Sequence, residues 1–325
     1  TSLEYALFLC WLLCNLFVVF LILAIIFLVI MPNLAMTSFF KGLQIWATKV
    51  LPALLPFFVL TKLLSYTNFL STFGRFLNPI TSRIYGVGGN AGYVYLLSVI
   101  SGYPVGAKLT SDLYTSKQIS KGQAITISSF ASTSGPLFIL GTVAIGMFGS
   151  IKIGVIIMIS HILGALINGL FYKCKDTQNV ACLSQPNIPN PLGESMSSSI
   201  SSILSVGGFI AIFYMLLQLL IALNIFSPIA TLFELVKVPQ NLTTAILSGI
   251  IEVTTGCLML SNIPLSNAVL ATIATFLISF GGLSIHAQAF TFLKSFQMPY
   301  KLFFLQKLTQ AIFSTLICLC LIFLL

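Results

Sequence analysis

Long apolar runs separated by short polar stretches dominate the chain. The run over residues 7–30 carries no charged side chain, and a helix of that length crosses an apolar core about 30 Å thick. Residues 151–172 and 302–325 form two more runs without a break. Residues 173–194, in contrast, are rich in Pro, Asn and Gln, which is typical of a solvent-exposed linker. The pattern predicts an all-α polytopic membrane protein with two halves.

Other apolar runs contain interruptions that a smooth helix does not tolerate. Pro52 and Pro56 break the run over residues 39–66, and Gly207 and Gly208 loosen another long helix. Four further runs are cut by polar residues, glycine or proline at residues 101–106, 132–136, 252–256 and 281–288. Unpaired backbone groups at membrane depth are tolerated only inside protein or beside a cavity. These four breaks therefore predict one shared cavity at the membrane midplane.

The interruptions recur in the same order in both halves. In each half a Phe-rich helix precedes a short broken segment, a longer broken segment that contains Ser-Phe, and an intact helix. Paired broken helices in two halves are typical of secondary transporters. The predicted division is a transmembrane helix over residues 1–36, a first repeat over 37–172, a cytoplasmic polar linker over 173–194 and a second repeat over 195–325.

Composition supports a lipid environment and excludes several functions. Hydrophobic residues make up 58% of the 325 residues and charged residues 6%, with a mean hydropathy of +1.06, which excludes a soluble protein. The net charge of +9 comes from scattered basic residues, so nucleic acid is not an expected partner. No two of the seven cysteines have CxxC spacing, and hydrolase and Walker motifs are absent from the sequence. We expect no metal, no cofactor and no catalysis.

The basic residues also predict the topology through the positive-inside rule. Lys49, Lys62 and Lys108 are set aside because they lie in apolar segments. If the short broken segments fold back as two re-entrant hairpins, nine basic residues fall on the N-terminal side and three on the other, whereas two crossings give seven against five. The nine are Arg75, Arg83, Lys117, Lys121, Lys173, Lys175, Lys294, Lys301 and Lys307, and the three are Lys41, Lys152 and Lys237. The bias favours about seven transmembrane helices, inverted repeats and a cytoplasmic N-terminus.

Polar residues at the breaks are the predicted substrate ligands. Half-helix N-termini favour anions there, while freed carbonyls can hold a cation. Packing between helices is the alternative role for small and hydroxyl residues. The predicted substrate-binding set is Gly102, Tyr103, Pro104, Lys108, Ser132, Thr133, Ser134, Gly135, Thr254, Thr255, Gly281, Gly282, Ser284, His286 and Gln288.

Two intramembrane charges have alternative roles. Lys108 lies near the first hairpin tip, where it either meets an anionic substrate or pairs with Asp112 four residues later. Glu252 is the acid in the apolar core of the second half. It is either a coupling site for Na⁺ or H⁺ or a salt-bridge partner of Lys49 or Lys108.

The expected roles of the histidines and of Tyr103 depend on whether each lies in a broken or an intact helix. His286 lies inside a broken helix, whereas His161 lies in an intact helix and is expected to be a packing residue. Tyr103 either stacks on a flat substrate or packs against protein at the hairpin tip.

Three motifs resemble a known family. They are Leu-Pro-Ala-Leu-Leu-Pro-Phe-Phe-Val at residues 51–59, Ser-Gly-Tyr-Pro-Val-Gly-Ala-Lys at 101–108 and Thr-Ser-Gly-Pro-Leu-Phe-Ile at 133–139. They resemble the YlbJ family of sporulation integral membrane proteins, which is similar to Gate-domain proteins and concentrative nucleoside transporters. That resemblance implies two re-entrant hairpins in inverted repeats. The tip Gly102-Tyr103-Pro104, followed by Lys108, departs from the Gln-Thr-Glu-Ala-Pro-like tip of nucleoside transporters.

The resemblance implies a function in spore formation. It predicts alternating-access movement of dipicolinic acid, a flat aromatic dianion, from the mother cell across the outer forespore membrane. The expected partners are a small anionic solute and the lipid bilayer of a bacterial cell membrane. Two alternatives stay open: a nucleoside or nucleobase carrier, and a non-transporting membrane scaffold, for which breaks sealed against each other would be expected.

Overall fold

The structure is a computed structural model that describes residues 18, 21–67, 69–174 and 189–324. Every regular element among these residues is helical, which confirms the all-α prediction. The first half contains α1 (Leu21–Ile30), α2 (Pro32–Ile45), a π-helical turn (Trp46–Val50), α3 (Leu51–Ser65), α4 (Phe69–Tyr85), α5 (Asn90–Ser101), α6 (Val105–Thr115), α7 (Lys121–Phe130), a π-helix (Leu137–Ile145) and α8 (Ile151–Phe171). The second half contains α9 (Pro191–Ala222), α10 (Ser227–Glu234), α11 (Gln240–Ile251), α12 (Val253–Ser261), α13 (Asn267–Phe280), α14 (Gly282–Leu293), a 3-10 turn (Lys294–Phe296) and α15 (Tyr300–Leu324).

Several of these helices are long and apolar enough to cross a membrane. Among the described residues there are 4 such spans: Ile151–Phe171, Pro191–Ala222, Asn267–Phe296 and Tyr300–Leu324. A fifth is added if α1 and α2 count as one span, although the chain bends by 106° between them. Pro32 begins α2 and has no N–H with which to continue α1. The boundary predicted at residue 36 therefore falls inside α2, and residues 1–17 of that predicted helix lie outside the described residues.

The order of helices in the second half repeats the order in the first. The first half has the pair α5–α6, then α7 with its π-helical continuation, then α8. The second half has the pair α11–α12, then α13–α14, then α15. Most of the linker between the halves, residues 175–188, lies outside the described residues.

Two predicted interruptions are wrong. Residues 51–56 do not break the chain, because α3 runs through Pro52 and Pro56 after a π-helical turn in which the Leu51 N–H donates to the Trp46 carbonyl. This wider turn accommodates a proline that cannot donate the usual helical hydrogen bond. Helix α9 is likewise continuous through Gly207. Gly207 instead gives room to the Trp46 ring, whose Nε1–H donates to the Ile203 carbonyl at 3.1 Å.

Contacts at one end of α8 show where the chain enters and leaves the pair α5–α6. The Cys174 N–H, just beyond α8, donates to the carbonyl of Tyr85 at the end of α4 (3.0 Å). The Thr126 hydroxyl in the middle of α7 donates to the Tyr172 carbonyl at 2.8 Å. Helix α5 begins shortly after α4, and α6 ends shortly before α7. Both ends of α5–α6 therefore lie near the same end of α8.

The buried interior combines apolar clusters with a large polar set. One cluster, around α5 to α7, contains Phe58, Tyr93 and Phe130, and another contains Ile157 of α8 and Leu277 of α13. Several side chains near the breaks are polar and buried, which is unusual for such groups unless they are paired. These are Ser132, Thr133, Ser134, His161, Ser279, Lys307 and Gln310.

Candidate functional site

The first two helix breaks touch backbone to backbone. Gly102 ends α5 at a φ of +84°, and a Cβ on it would lie 2.7 Å from the Gly135 nitrogen. A Cβ on Gly135 would in turn lie 3.1 Å from the Gly102 nitrogen. Deeper in the pair, Gly106 packs so closely on the Ala131 carbonyl that no side chain fits between them. The tip of α5–α6 is therefore sealed against the break that follows α7.

The fourth break joins this contact and also reaches the third. The Tyr103 hydroxyl lies 3.5 Å from the Ser279 carbonyl, two residues before the left-handed Gly281. A Cβ on Gly282 would lie 3.3 Å from both the Ile251 carbonyl and the Val253 nitrogen, which flank the break at Glu252. The four breaks predicted from the sequence are thus linked by contacts with one another.

His161 connects the two halves at this site. Its Nε2 accepts the backbone N–H of Ser134 at 2.8 Å, and its Nδ1 lies 2.8 Å from the Ser279 hydroxyl oxygen. A backbone N–H can only donate, so Nε2 is unprotonated and Nδ1 carries the hydrogen directed at Ser279. The side chain is fully buried. The prediction that His161 is only a packing residue is therefore wrong, because its ring satisfies a backbone donor freed by one break and a hydroxyl beside another.

Lys307 of α15 occupies the contact between the first two breaks. Its ammonium donates to the Tyr103 hydroxyl (2.5 Å), the Ser132 carbonyl (2.8 Å) and Gln310 Oε1 (2.6 Å). It also lies 4.8 Å from the centroid of the Tyr103 ring. Lys307 is 1% exposed, and it forms no salt bridge with a described carboxylate. Its use as a surface topology mark is therefore wrong, since the charge is buried among neutral oxygens.

Three buried polar groups in the first two breaks and on α15 have no hydrogen-bond partner in the described protein. An ammonium only donates, so Gln310 must present its oxygen to Lys307, which leaves the Gln310 Nε2 group without a protein partner. The hydroxyls of Ser132 and Ser101 are also buried and unpartnered. Unsatisfied buried donors are rare in folded proteins. These three groups are therefore hydrogen-bonding groups that the described protein leaves unused.

The remaining predicted ligands of the first half contribute to the architecture of the breaks. The Thr133 hydroxyl lies 3.0 Å from the hydroxyl of Ser98, which also donates to the Ala131 carbonyl. Pro104 follows Tyr103 and precedes the first residue of α6. These contacts hold the α5–α6 tip against the end of α7.

Lys108 is buried, but its ammonium contacts α9 rather than another helix break. It donates to the hydroxyl of Ser202 at 2.7 Å and lies 3.4 Å from that of Ser198. The ammonium is also 5.1 Å from the centroid of the Phe58 ring. Asp112 pairs with Lys62 at 3.1 Å instead of with Lys108. The predicted Lys108–Asp112 pair is therefore wrong, because the Lys108 ammonium donates its hydrogen bonds to serine oxygens on α9.

Glu252 caps the helix that follows its own break. Its carboxylate accepts the N–H groups of Thr254 (3.0 Å) and Thr255 (2.7 Å), and also the Thr255 hydroxyl (2.7 Å). An acid at a helix N-terminus satisfies unpaired donors and interacts favourably with the helix dipole. The carboxylate forms no salt bridge with Lys108, whose ammonium contacts α9 and the Phe58 ring, and the side chain of Lys49, the other predicted partner, lies outside the described part of the chain. Thr254 and Thr255 are thus placed as donors to Glu252.

The predicted residues on α14 bond mainly to their own surroundings. His286 Nε2 donates to the Phe280 carbonyl at 2.9 Å, which satisfies an oxygen freed by the break at Gly281. The Tyr300 hydroxyl lies 3.4 Å from His286 Nδ1. Gln288 donates to the Ser284 hydroxyl at 3.3 Å. Among the described residues, no group of three or more His, Cys, Asp or Glu is arranged to hold a metal ion.

Sequence reasoning missed Lys307 and Gln310, although a signal was present. Gln306, Lys307, Thr309 and Gln310 form a polar cluster inside an otherwise apolar 25-residue helix. Gln306 and Thr309 also bond to polar groups on other helices, Ser128 and Asn168. Polar and ionisable residues at membrane depth indicate function by default.

The fold and site define an α-helical integral membrane protein with interrupted helices around a buried polar centre. Residues 47–152 match the Gate family model, described as nucleoside recognition. The chain is also similar to the sporulation integral membrane protein YlbJ of Bacillus subtilis (strain 168), with 33% identity over 316 residues, covering 87% of this chain and 76% of that protein. The chain belongs to the YlbJ family of sporulation integral membrane proteins. No solved structure matches it.

Proposed function

We propose that the protein is a transporter that moves a small anionic solute across the membrane by alternating access. The observation that carries this proposal is the Lys307 ammonium, buried among neutral oxygens where broken helices meet. An anion brought beside such a charge regains Coulomb energy that burial of the ammonium had cost. Intramembrane charge beside paired broken helices is typical of transporter substrate sites.

The anionic group of the solute is proposed to bind the unused donors near Lys307. Gln310 Nε2 and the Ser132 hydroxyl supply hydrogen bonds, and the Lys307 ammonium holds Gln310 in place and adds positive charge. Tyr103 lies at the hairpin tip with its ring beside the ammonium, where a flat aromatic solute can stack. Gly102, Thr133 and Gly135, from the first two breaks, are proposed to shape this site through their contacts.

The proposed topology has about seven crossings and two re-entrant hairpins, α5–α6 and α11–α12, in inverted repeats. The contacts that bring both ends of α5–α6 near one end of α8 support this topology. With Lys307 removed from the charge count, eight basic residues against three still favour a cytoplasmic N-terminus and linker.

For the solute we propose dipicolinate, moved from the mother cell toward the forespore across the outer forespore membrane. Membership of a family of sporulation proteins supports a role during spore formation. The two buried basic side chains, Lys108 and Lys307, support an anionic solute. Glu252 is proposed to couple transport to Na⁺ or H⁺. Its substitution by Gln should then abolish the dependence of uptake on an ion gradient, which is measurable in the assay below.

Two other functions each have one observation in their favour. The match to a nucleoside-recognition model favours a nucleoside or nucleobase carrier. The backbone contact between Gly102 and Gly135 favours a membrane scaffold, because sealed breaks leave no opening between them. All three functions are separated by one measurement of solute flux.

The test is uptake of labelled dipicolinate and uridine into proteoliposomes that contain the purified full chain. We expect dipicolinate uptake above that of protein-free liposomes, no uridine uptake, and a loss of about tenfold or more in Gln310→Ala, because a hydrogen bond to a charged group is removed. Thr315→Ala is the matched control, since that hydroxyl of α15 bonds to its own helix. Uptake of uridine alone would identify a nucleoside carrier, and uptake of neither would favour the scaffold.

A further inference from the structure

The surroundings of the Lys307 ammonium have the composition of a cation site. Its three hydrogen-bond partners are a phenolic hydroxyl, a backbone carbonyl and an amide oxygen, all neutral oxygens. Hard cations in proteins are held by oxygen ligands of these kinds. With three N–H donors and three acceptors, the ammonium has its hydrogen-bonding capacity filled by the protein.

Two helix C-termini add negative partial charge at the same place. Helix α5 ends at Ser101 and α7 ends at Phe130, each two residues before an oxygen that accepts a hydrogen bond from Lys307. The unpaired carbonyls at a helix C-terminus stabilise a nearby cation. In transporters with discontinuous helices, unwound carbonyls and half-helix C-termini are the groups that coordinate a coupling ion.

Two of the three ligands come from the other half of the chain. Tyr103 and Ser132 belong to breaks of the first half, whereas Lys307 reaches them from α15, the last helix. His161 makes the reverse connection, from α8 of the first half to Ser279 of the second. The ammonium therefore couples the last helix to the two breaks of the first half.

We infer that Lys307 is a tethered substitute for a bound monovalent cation, so that the first-half breaks need no Na⁺ at this position. A covalently attached cation cannot leave during a transport cycle. Removing the side chain while leaving its oxygen ligands in place creates a site that a free Na⁺ can fill.

The experiment compares two variants that differ in the space they leave. Lys307→Ala removes both the amine and the side-chain volume. Lys307→Met removes the amine but keeps an unbranched apolar side chain in the space that the lysine side chain occupies. Lys301→Ala, which removes an exposed lysine from the same helix, controls for loss of charge. Each purified full-length protein is melted in detergent in NaCl, KCl and choline chloride at equal ionic strength.

We expect the melting temperature of Lys307→Ala to rise in NaCl relative to choline chloride, saturably and by about 5 °C. Wild type, Lys307→Met and Lys301→Ala should show less than half of that difference. An equal response of the Ala and Met variants, or no response of Lys307→Ala, would overturn the inference. If Lys307→Ala does not fold in any salt, the double variant Lys307→Ala/Gln310→Glu is used, because the new carboxylate adds a ligand for the cation. If NaCl does not raise the melting temperature of the double variant relative to choline chloride, the inference is overturned as well. Since no solute is involved, this outcome is independent of the flux measurement.

Discussion

Replacing Gly102 by Ala tests the contact between the first two helix breaks. Gly102 has φ of +84° and ψ of −171°, a region that is open essentially only to glycine, and forcing another residue into it costs about 1–3 kcal/mol. The added Cβ would also lie 2.7 Å from the Gly135 nitrogen, and overpacking of this kind costs a further 1–3 kcal/mol or so. Together these effects predict a loss of about 2–6 kcal/mol.

Thermal unfolding in detergent measures this loss. At about 2 °C per kcal/mol for a chain of this size, Gly102→Ala should melt about 4–12 °C below wild type. Tryptophan fluorescence and the monodisperse size-exclusion peak give two independent readouts. Gly208→Ala is the matched control, because Gly208 lies in α9 with nothing within 4 Å of an added Cβ. In a helix that change is neutral or stabilises by up to about 1 kcal/mol.

A third glycine separates backbone strain from contact. A Cβ on Gly135 would lie 3.1 Å from the Gly102 nitrogen, and Gly135 is not among the residues with positive φ. Gly135→Ala should therefore lower the melting temperature by less than Gly102→Ala but by more than Gly208→Ala. If Gly102→Ala has the melting temperature of wild type, the first two breaks are not in contact. If Gly102→Ala lowers the melting temperature and Gly135→Ala does not, backbone strain at Gly102 alone explains the loss.

Three further changes have defined outcomes. His161→Leu should lower the free energy of unfolding by about 2–3 kcal/mol, because it leaves the buried Ser134 N–H unpaired. The control Ser160→Ala removes a hydroxyl that bonds within its own helix and should cost under about 1 kcal/mol in the same melting assay. Equal losses in the two variants would contradict the bridging role of His161. Asp112→Asn should change stability by no more than about 1 kcal/mol, since the Lys62–Asp112 pair is partly exposed, and a larger loss in denaturant titration would show that the pair is structural. Single cysteines at Lys117 and Lys152 in a cysteine-free background should be labelled by a membrane-impermeant reagent from opposite sides, cytoplasmic for Lys117, and labelling from the same side would refute the hairpin topology.

The helix breaks could be predicted because their cause is local. Pro104 fixes its own φ and lacks a backbone N–H, while Gly102 and Gly281 adopt positive φ values that other residues avoid, whatever surrounds them. The prolines of α3 were predicted wrongly because the same local rule ignores how a π-helical turn redistributes hydrogen bonds. Whether a proline breaks a helix depends on the hydrogen bonding of the helical turn before it, and the presence of the proline in the sequence does not reveal that hydrogen bonding.

The centre of the site could not be obtained from charge patterning. The positive-inside rule treats a lysine near a helix start as a surface mark, yet Lys307, seven residues after Tyr300, is about 10 Å along the axis of α15. Two of its three hydrogen-bond partners, Tyr103 and Ser132, lie 204 and 175 positions earlier in the chain. Only tertiary packing brings the ammonium to Tyr103 and Ser132.

The contact between Gly102 and Gly135 sets a limit on how fast this centre can open. Neither residue has a side chain, so no rotation about a χ angle, which takes picoseconds to nanoseconds, can separate the two breaks. Separation requires displacement of the backbone of at least one of the two breaks, and collective helix motions of that kind take microseconds to milliseconds. Any solute that passes between these breaks therefore crosses in discrete, slow events, with the turnover of a carrier and not the conductance of a channel.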